Sequence, residues 1–148
     1  MEEMKEERID AFLESLGNKR LSNENRVAFL LGLEFGLRRS EIAKIRSTEI
    51  TMESDANTKS EYVKITLVGK GNKKASVVNF NKYGKMVYDL VYAASNPFYF
   101  FKNNDFPTLQ AISKKADALS KRIRILVKNE WNIDGFSAHD LRRSFCTA

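Results

Sequence analysis

Cysteine and histidine are almost missing from this 148-residue chain, which has one of each, Cys146 and His139. A single cysteine makes no internal disulfide, so a reduced, cytoplasmic setting is expected. One cysteine and one histidine also exclude a Cys/His zinc site. A Ser-His-Asp hydrolase would have to use His139, there being no other imidazole. Two prolines and seven glycines are too few for a collagen-like or a low-complexity chain. Long hydrophobic runs are lacking too. The longest, Val27–Leu33, is interrupted by Gly32 and falls far short of the ~20 residues that span a bilayer. The first ten residues are dense in Glu, Lys and Arg, the reverse of a signal-peptide core, so no membrane partner is expected.

What is present describes a basic globular domain. Apolar residues make up 43% and charged residues 30%, with 25 Lys and Arg against 19 Asp and Glu, a net charge of +6. At 17.0 kDa the chain reads as one domain, 1–148, able to bury ~68–70% of its unfolded surface. A pI near 9.4 favours an anionic partner, nucleic acid first, although a moderate positive excess also describes ordinary solvated surface.

Periodicity supplies the architecture. Ile9, Phe12, Leu13 and Leu16 form one helical stripe over Glu6–Leu16, with Gly17 as its stop. Ser22 or Asn23 is expected to cap a second helix carrying Val27, Leu30, Leu31 and Glu34 and ending before Gly36. Ser40 and Glu41 open a third, bearing Ile42 and Ile45, followed by a polar loop over Thr51–Ser60. Glu61–Val68 alternates, with Val63, Ile65 and Leu67 on one face. Gly69-Lys70-Gly71-Asn72-Lys73 is a turn cluster and Ala75–Phe80 a returning strand, giving a hairpin with a basic tip. Helical spacing resumes at Tyr83, Val87, Leu90 and Val91 and stops near Pro97. The aromatic stretch Pro97–Pro107 reads as a buried connection. Thr108 caps a long helix with Ile112, Ala116, Leu119, Ile123 and Leu126/Val127 inside. Asn129–Gly135 is a loop, and Ser137 begins a last helix. The fold class is mainly α with a small antiparallel β-sheet (α+β).

Three basic constellations fall where loops or element ends present them. In Gly36-Leu37-Arg38-Arg39-Ser40-Glu41, a guanidinium in a helix–helix corner is placed to grip a phosphate bidentately, with Glu41 positioned to orient it. The ordinary alternative is a surface Arg–Glu pair. In Val68-Gly69-Lys70-Gly71-Asn72-Lys73-Lys74, a lysine at a glycine-flanked tip can reach a phosphate oxygen or a leaving alkoxide. It is not a Walker loop, because the GxxxxGK[ST] spacing is absent, and a solubilising turn would look the same. In Ser137-Ala138-His139-Asp140-Leu141-Arg142-Arg143, His139 and Arg142 project from one helix face, an acid–base group beside a phosphate clamp. A capping or packing histidine is the plain alternative there.

Taken together, the order Gly-Leu-Arg-x-Ser-Glu, then Gly-Lys-Gly-Asn-Lys on a hairpin, then His-x-Leu-Arg opening a helix resembles the catalytic domain of tyrosine recombinases, the phage integrase family. The resemblance runs from Ser22 to the end. It implies a tyrosine recombinase catalytic-domain-like fold and site-specific DNA recombination or integration, as in mobile genetic elements. By position, Arg38 matches the first catalytic arginine, with Glu41 as its supporting acid. Lys70 matches the hairpin lysine that protonates the leaving 5′ oxygen, and His139 and Arg142 match the later His-x-x-Arg box. Arg39, Lys73, Lys74 and Arg143 are expected to bind DNA phosphates. Arg143 stands where many relatives place a second histidine. In the family a tyrosine attacks the phosphodiester, leaving a 3′-phosphotyrosyl link and a free 5′ hydroxyl. The arginines neutralise the non-bridging oxygens, and neither a metal nor another cofactor takes part.

The family pattern then continues through a Leu-Gly-His-type segment to the nucleophilic tyrosine. Here Tyr62, Tyr83, Tyr88, Tyr92 and Tyr99 all precede His139, and their patterns suit packing. The chain is therefore expected to be a partial catalytic domain without its C-terminal part and its nucleophile, inactive in cleavage by itself. Double-stranded DNA is the expected partner, with a full-length tetramer on DNA implied by the family and the isolated chain left as a monomer. A non-catalytic DNA-binding or regulatory module on the same scaffold is the alternative.

Overall fold

The computed structural model describes residues 6–19, 21–68, 73–102, 106–135 and 140. The helices and strands in order are α1 (Glu6–Ser15), α2 (Ser22–Phe35), α3 (Arg39–Ala43), a 3-10 turn (Ser47–Glu49), β1 (Ile50–Ser54), β2 (Glu61–Val68), β3 (Lys74–Asn79), α4 (Lys82–Ala94) and α5 (Leu109–Trp131). The strands form one antiparallel sheet in the order β1-β2-β3. This is the mainly helical α+β architecture expected from the periodicity. No helix among the described residues is long and apolar enough to cross a membrane.

The core forms around α2. Val27 through Leu33 and Phe35 are buried on every side of the helix, as in a helix enclosed by its neighbours rather than laid on a surface. Against it pack Phe12 of α1 and Trp131 at the end of α5, with ring centroids of Phe12 4.3 Å from Phe29 and 4.9 Å from Trp131. The inner face of α5 is Ala116, Leu119, Ile123 and Val127, at the spacing that the sequence showed. Val63, Ile65 and Leu67 of β2 close the core from the sheet side.

Two local expectations are corrected. Ser22 is the first residue of α2 rather than its cap, and its hydroxyl donates to the Leu16 carbonyl at 2.8 Å. The polar stretch after Ile50 is not all loop: Ile50–Ser54 is an edge strand, with Ile50 opposite Ile65 and Ser54 opposite Glu61. Only Ile50 of this strand is buried, so its alternation was too faint to see. Asn81 and Thr108 cap their helices through side-chain oxygens, Asn81 accepting from Tyr83 N–H at 2.9 Å and Thr108 from Ala111 N–H at 3.0 Å.

A buried amide fastens the sheet to α2. The Asn79 side chain donates to the Glu34 carboxylate at 3.1 Å, and Asn81 donates to the same oxygen at 3.1 Å. Gly84 passes so close that a Cβ there would lie 2.5 Å from Asn79 Oδ1, which is why this helical position carries no side chain. The end of β3, the start of α4 and the last turn of α2 are thereby joined directly ahead of the corner that holds Arg38.

Candidate functional site

The corner between α2 and α3 is built by three consecutive residues with different tasks. Gly36 takes the left-handed conformation, φ 69° and ψ 26°, that ends α2. The N–H groups of Gly36 and Leu37 turn back onto the carbonyls of Gly32 and Leu31, at 3.1 Å each. Leu37 then enters the core and is 2% exposed. Arg38 follows in extended conformation, φ −75° and ψ 157°, at the N-cap of α3, and lies at the surface. A buried leucine directly before an exposed arginine fixes where that arginine leaves the fold.

Glu41 acts on this corner through the main chain. Its carboxylate accepts the Arg38 backbone N–H at 2.8 Å. The carboxylate thus sets the backbone of Arg38, where orientation of its guanidinium was expected. Among the described residues the Arg38 guanidinium has no hydrogen-bond or ion-pair partner. Arg39 does have one: its Nη1 lies 3.0 Å from Asp117 Oδ1 on α5. The structure therefore brings Arg38, Arg39 and Glu41 into one corner, with Asp117 added to it. Asp117 went unnoticed in the sequence because it sits among lysines on an exposed helix face, with no spacing that links it to Arg39.

The hairpin residues are placed separately. Lys74 pairs with Val68 in the register of β2 and β3, and Lys73 precedes it; both are exposed. They stand at the end of β3 away from the Asn79 anchor, about 17 Å along the strand at the usual rise. Lys70, His139, Arg142 and Arg143 lie outside the described residues.

The other arginines show what a structurally engaged guanidinium looks like. Arg26 Nη2 donates to the carbonyls of Leu13 (3.0 Å) and Gly17 (2.6 Å), closing the C-terminal end of α1. Arg122 reaches Glu24 at 3.4 Å. Arg46 lies 4.6 Å from the Phe98 ring centroid and 4.2 Å from that of Phe106, a cation between two aromatic faces.

The tyrosines are engaged as well. Tyr83 donates to Asp10 at 2.5 Å and to the Glu6 carbonyl at 3.2 Å. Burial, reinforced by the Asp10 contact, pushes its phenol above the ordinary range. Tyr99 is enclosed, and burial with the nearby Glu24 charge pushes it up to about 12. Tyr62 lies against Phe80 at 5.0 Å, and desolvation together with Glu53 and Asp55 raises it too. Tyr92 donates to the Ile50 carbonyl at 3.0 Å and packs on Tyr88 at 4.5 Å. Phenols raised in this way are poorer sources of phenolate at neutral pH.

The fold is that of a tyrosine recombinase catalytic domain. The XerH site-specific recombinase bound to difH substrate, in a pre-cleavage complex, aligns with a TM-score of 0.69 at 20% identity, over 98% of this chain and 42% of the recombinase chain. Its post-cleavage complex with palindromic difH gives 0.68 at 20% identity, over 98% and 41%. The Tn1549 transposon integrase in complex with a circular intermediate DNA aligns at 0.52 with 14% identity, over 99% of this chain and 52% of the integrase. The chain thus spans well under two thirds of the recombinase chains it matches. No curated protein matched it. The model of the phage integrase family matches residues 2–148, and the chain belongs to that family.

Proposed function

We propose that this chain supplies the phosphate-handling part of a tyrosine recombinase that cleaves and rejoins double-stranded DNA in site-specific recombination. The observation that carries the reading is Arg38, presented in extended backbone at the corner where the family pattern has its first arginine, anchored by Leu37 and tied down by Glu41. An exposed guanidinium on a fixed backbone is ready to pair bidentately with a phosphate, and its positive charge offsets what develops on the non-bridging oxygens. In this reading Arg142 is the second clamp and His139 the acid–base group beside it. Lys73, Lys74, Arg39 and Arg143 add backbone contacts.

The chemistry balances without a metal. A tyrosine oxygen attacks phosphorus as His139 takes the phenol proton, the P–O5′ bond breaks, and the 5′ oxygen leaves as a hydroxyl after taking a proton from Lys70. The 3′-phosphotyrosyl link keeps the bond energy until another strand's 5′ hydroxyl attacks it. The attacking tyrosine is none of the five in this chain. Each of them is held by packing or hydrogen bonds, and three are pushed to higher pKa. The chain is thus one partial catalytic domain, monomeric by itself, of a protein that assembles as a tetramer on DNA in the cytoplasm.

A suicide DNA substrate tests both halves. The 148-residue chain is expected to bind it in a salt-dependent manner and to form no covalent adduct. A covalent adduct would overturn the assignment of the nucleophile, and binding unaltered by salt would overturn the phosphate reading.

A further inference from the structure

Arg39 is the unusual member of the corner. It neighbours Arg38, yet its guanidinium points to a carboxylate of another helix, Asp117, at 3.0 Å. Asp117 is an isolated acid: along the same exposed side of α5 stand Lys114, Lys121, Arg124 and Lys128, three, four, seven and eleven residues from it, spacings that share a helix face. Both partners are largely in water, with side chains 61% and 64% exposed. A pair so exposed is weak and opens at little cost, whereas a phosphate offers the same guanidinium a stronger bidentate acceptor.

We propose that Arg39 and Asp117 form an exchangeable latch beside the phosphate site. Without DNA, Asp117 holds Arg39. When a duplex reaches the corner, Arg39 leaves Asp117 for a backbone phosphate adjoining the one gripped by Arg38. The carboxylate is then a restraining residue, which lowers affinity for arbitrary DNA by competing for one cation. It bears on non-specific binding because phosphates are the same in every sequence. The latch rests on the DNA-binding reading above, and the two are separable by experiment.

The test is a double-mutant cycle on the 148-residue chain, using a short duplex of arbitrary sequence and a salt series, with thermal midpoints measured alongside. Asp117→Asn is expected to bind about two- to fivefold tighter, the range that opening an exposed pair allows. Arg39→Ala is expected to bind more weakly, with the slope of log affinity against log salt shallower by about 0.9, one phosphate contact. In the Arg39→Ala background, Asp117→Asn should gain nothing. Both variants should melt with the parent, since neither side chain is buried.

Two outcomes overturn the latch. One is Asp117→Asn binding no more tightly than the parent. The other is an equal gain with and without Arg39, which means plain charge repulsion from Asp117. If Arg38→Ala leaves binding unchanged while the Arg39–Asp117 cycle behaves as described, the role given to Arg38 fails and the latch stands.

Discussion

Arg26 and Arg38 flank the same helix and show two uses of one side chain. Arg26, one turn into α2, turns onto α1 and donates to two main-chain carbonyls, Leu13 and Gly17. Arg38, beyond the other end of α2, has its backbone fixed by Glu41 while its guanidinium faces outward. Unsatisfied carbonyls at a helix end attract a cation and hold it, so Arg26 contributes to stability. Among the described residues no comparable acceptor meets the Arg38 head group, so its stabilising role is small and its availability to a phosphate large. The difference lies in the neighbours that the fold supplies.

The largest expected effect removes the plug that separates the two uses. Leu37→Ala empties a fully enclosed site at the corner and should cost about 2–5 kcal/mol, seen as a lower denaturant midpoint. It should weaken DNA binding as well, because the backbone that carries Arg38 loses its anchor. Arg26→Ala comes next. Losing two charge-assisted bonds to carbonyls should cost about 1.5–3 kcal/mol and lower the melting temperature by several degrees. DNA affinity of its folded form should match the parent. A drop in affinity without a drop in stability would break the contrast from the Arg26 side.

Glu41→Ala is smaller, about 1 kcal/mol, the usual worth of a capping interaction, and it should lower DNA affinity through the position of Arg38. Arg38→Ala should be nearly silent in stability, within about 0.5 kcal/mol, while DNA binding falls about tenfold or more. At neutral pH the smallest effect belongs to Tyr99. Burial and the Glu24 charge push its phenol up to about 12, above the ordinary value of about 10, so the neutral phenol is favoured in the fold. That contribution is complete below pH 10 and is lost as pH rises toward 12. Denaturation curves at pH 9 and above should show the decline, and Tyr99→Phe should lessen it, leaving the part due to Tyr83 and Tyr62.

Much of the fold was legible because the core follows local periodicity. Ile9, Phe12 and Leu13 on α1, and Ala116, Leu119, Ile123 and Val127 on α5, are buried as their spacing required. Alternation in Val63, Ile65 and Leu67 placed β2 correctly. Edge strand β1, although joined to β2 by a short connection, escaped notice because only Ile50 is buried and its outer residues are mostly polar. The clamp of Glu34, Asn79 and Asn81 escaped for a different reason: it is long-range, and no motif links a helix glutamate to two distant asparagines.

At the site, Gly36 through Glu41 was readable as a motif because glycine, a buried leucine and a capping acid act locally. The partner of Arg39 was not readable, because Asp117 comes from a helix far along the chain. Lys74 opens β3 opposite Val68, one residue before the strand start expected at Ala75, and Lys73 precedes it.

The most direct test of the phosphate-binding account is the salt dependence of duplex DNA affinity for the parent chain and for Arg38→Ala, both shown to be folded. The account predicts that the parent loses affinity steeply with salt, and that Arg38→Ala binds more weakly with a slope shallower by about 0.9. Superimposable lines for the two proteins would contradict it.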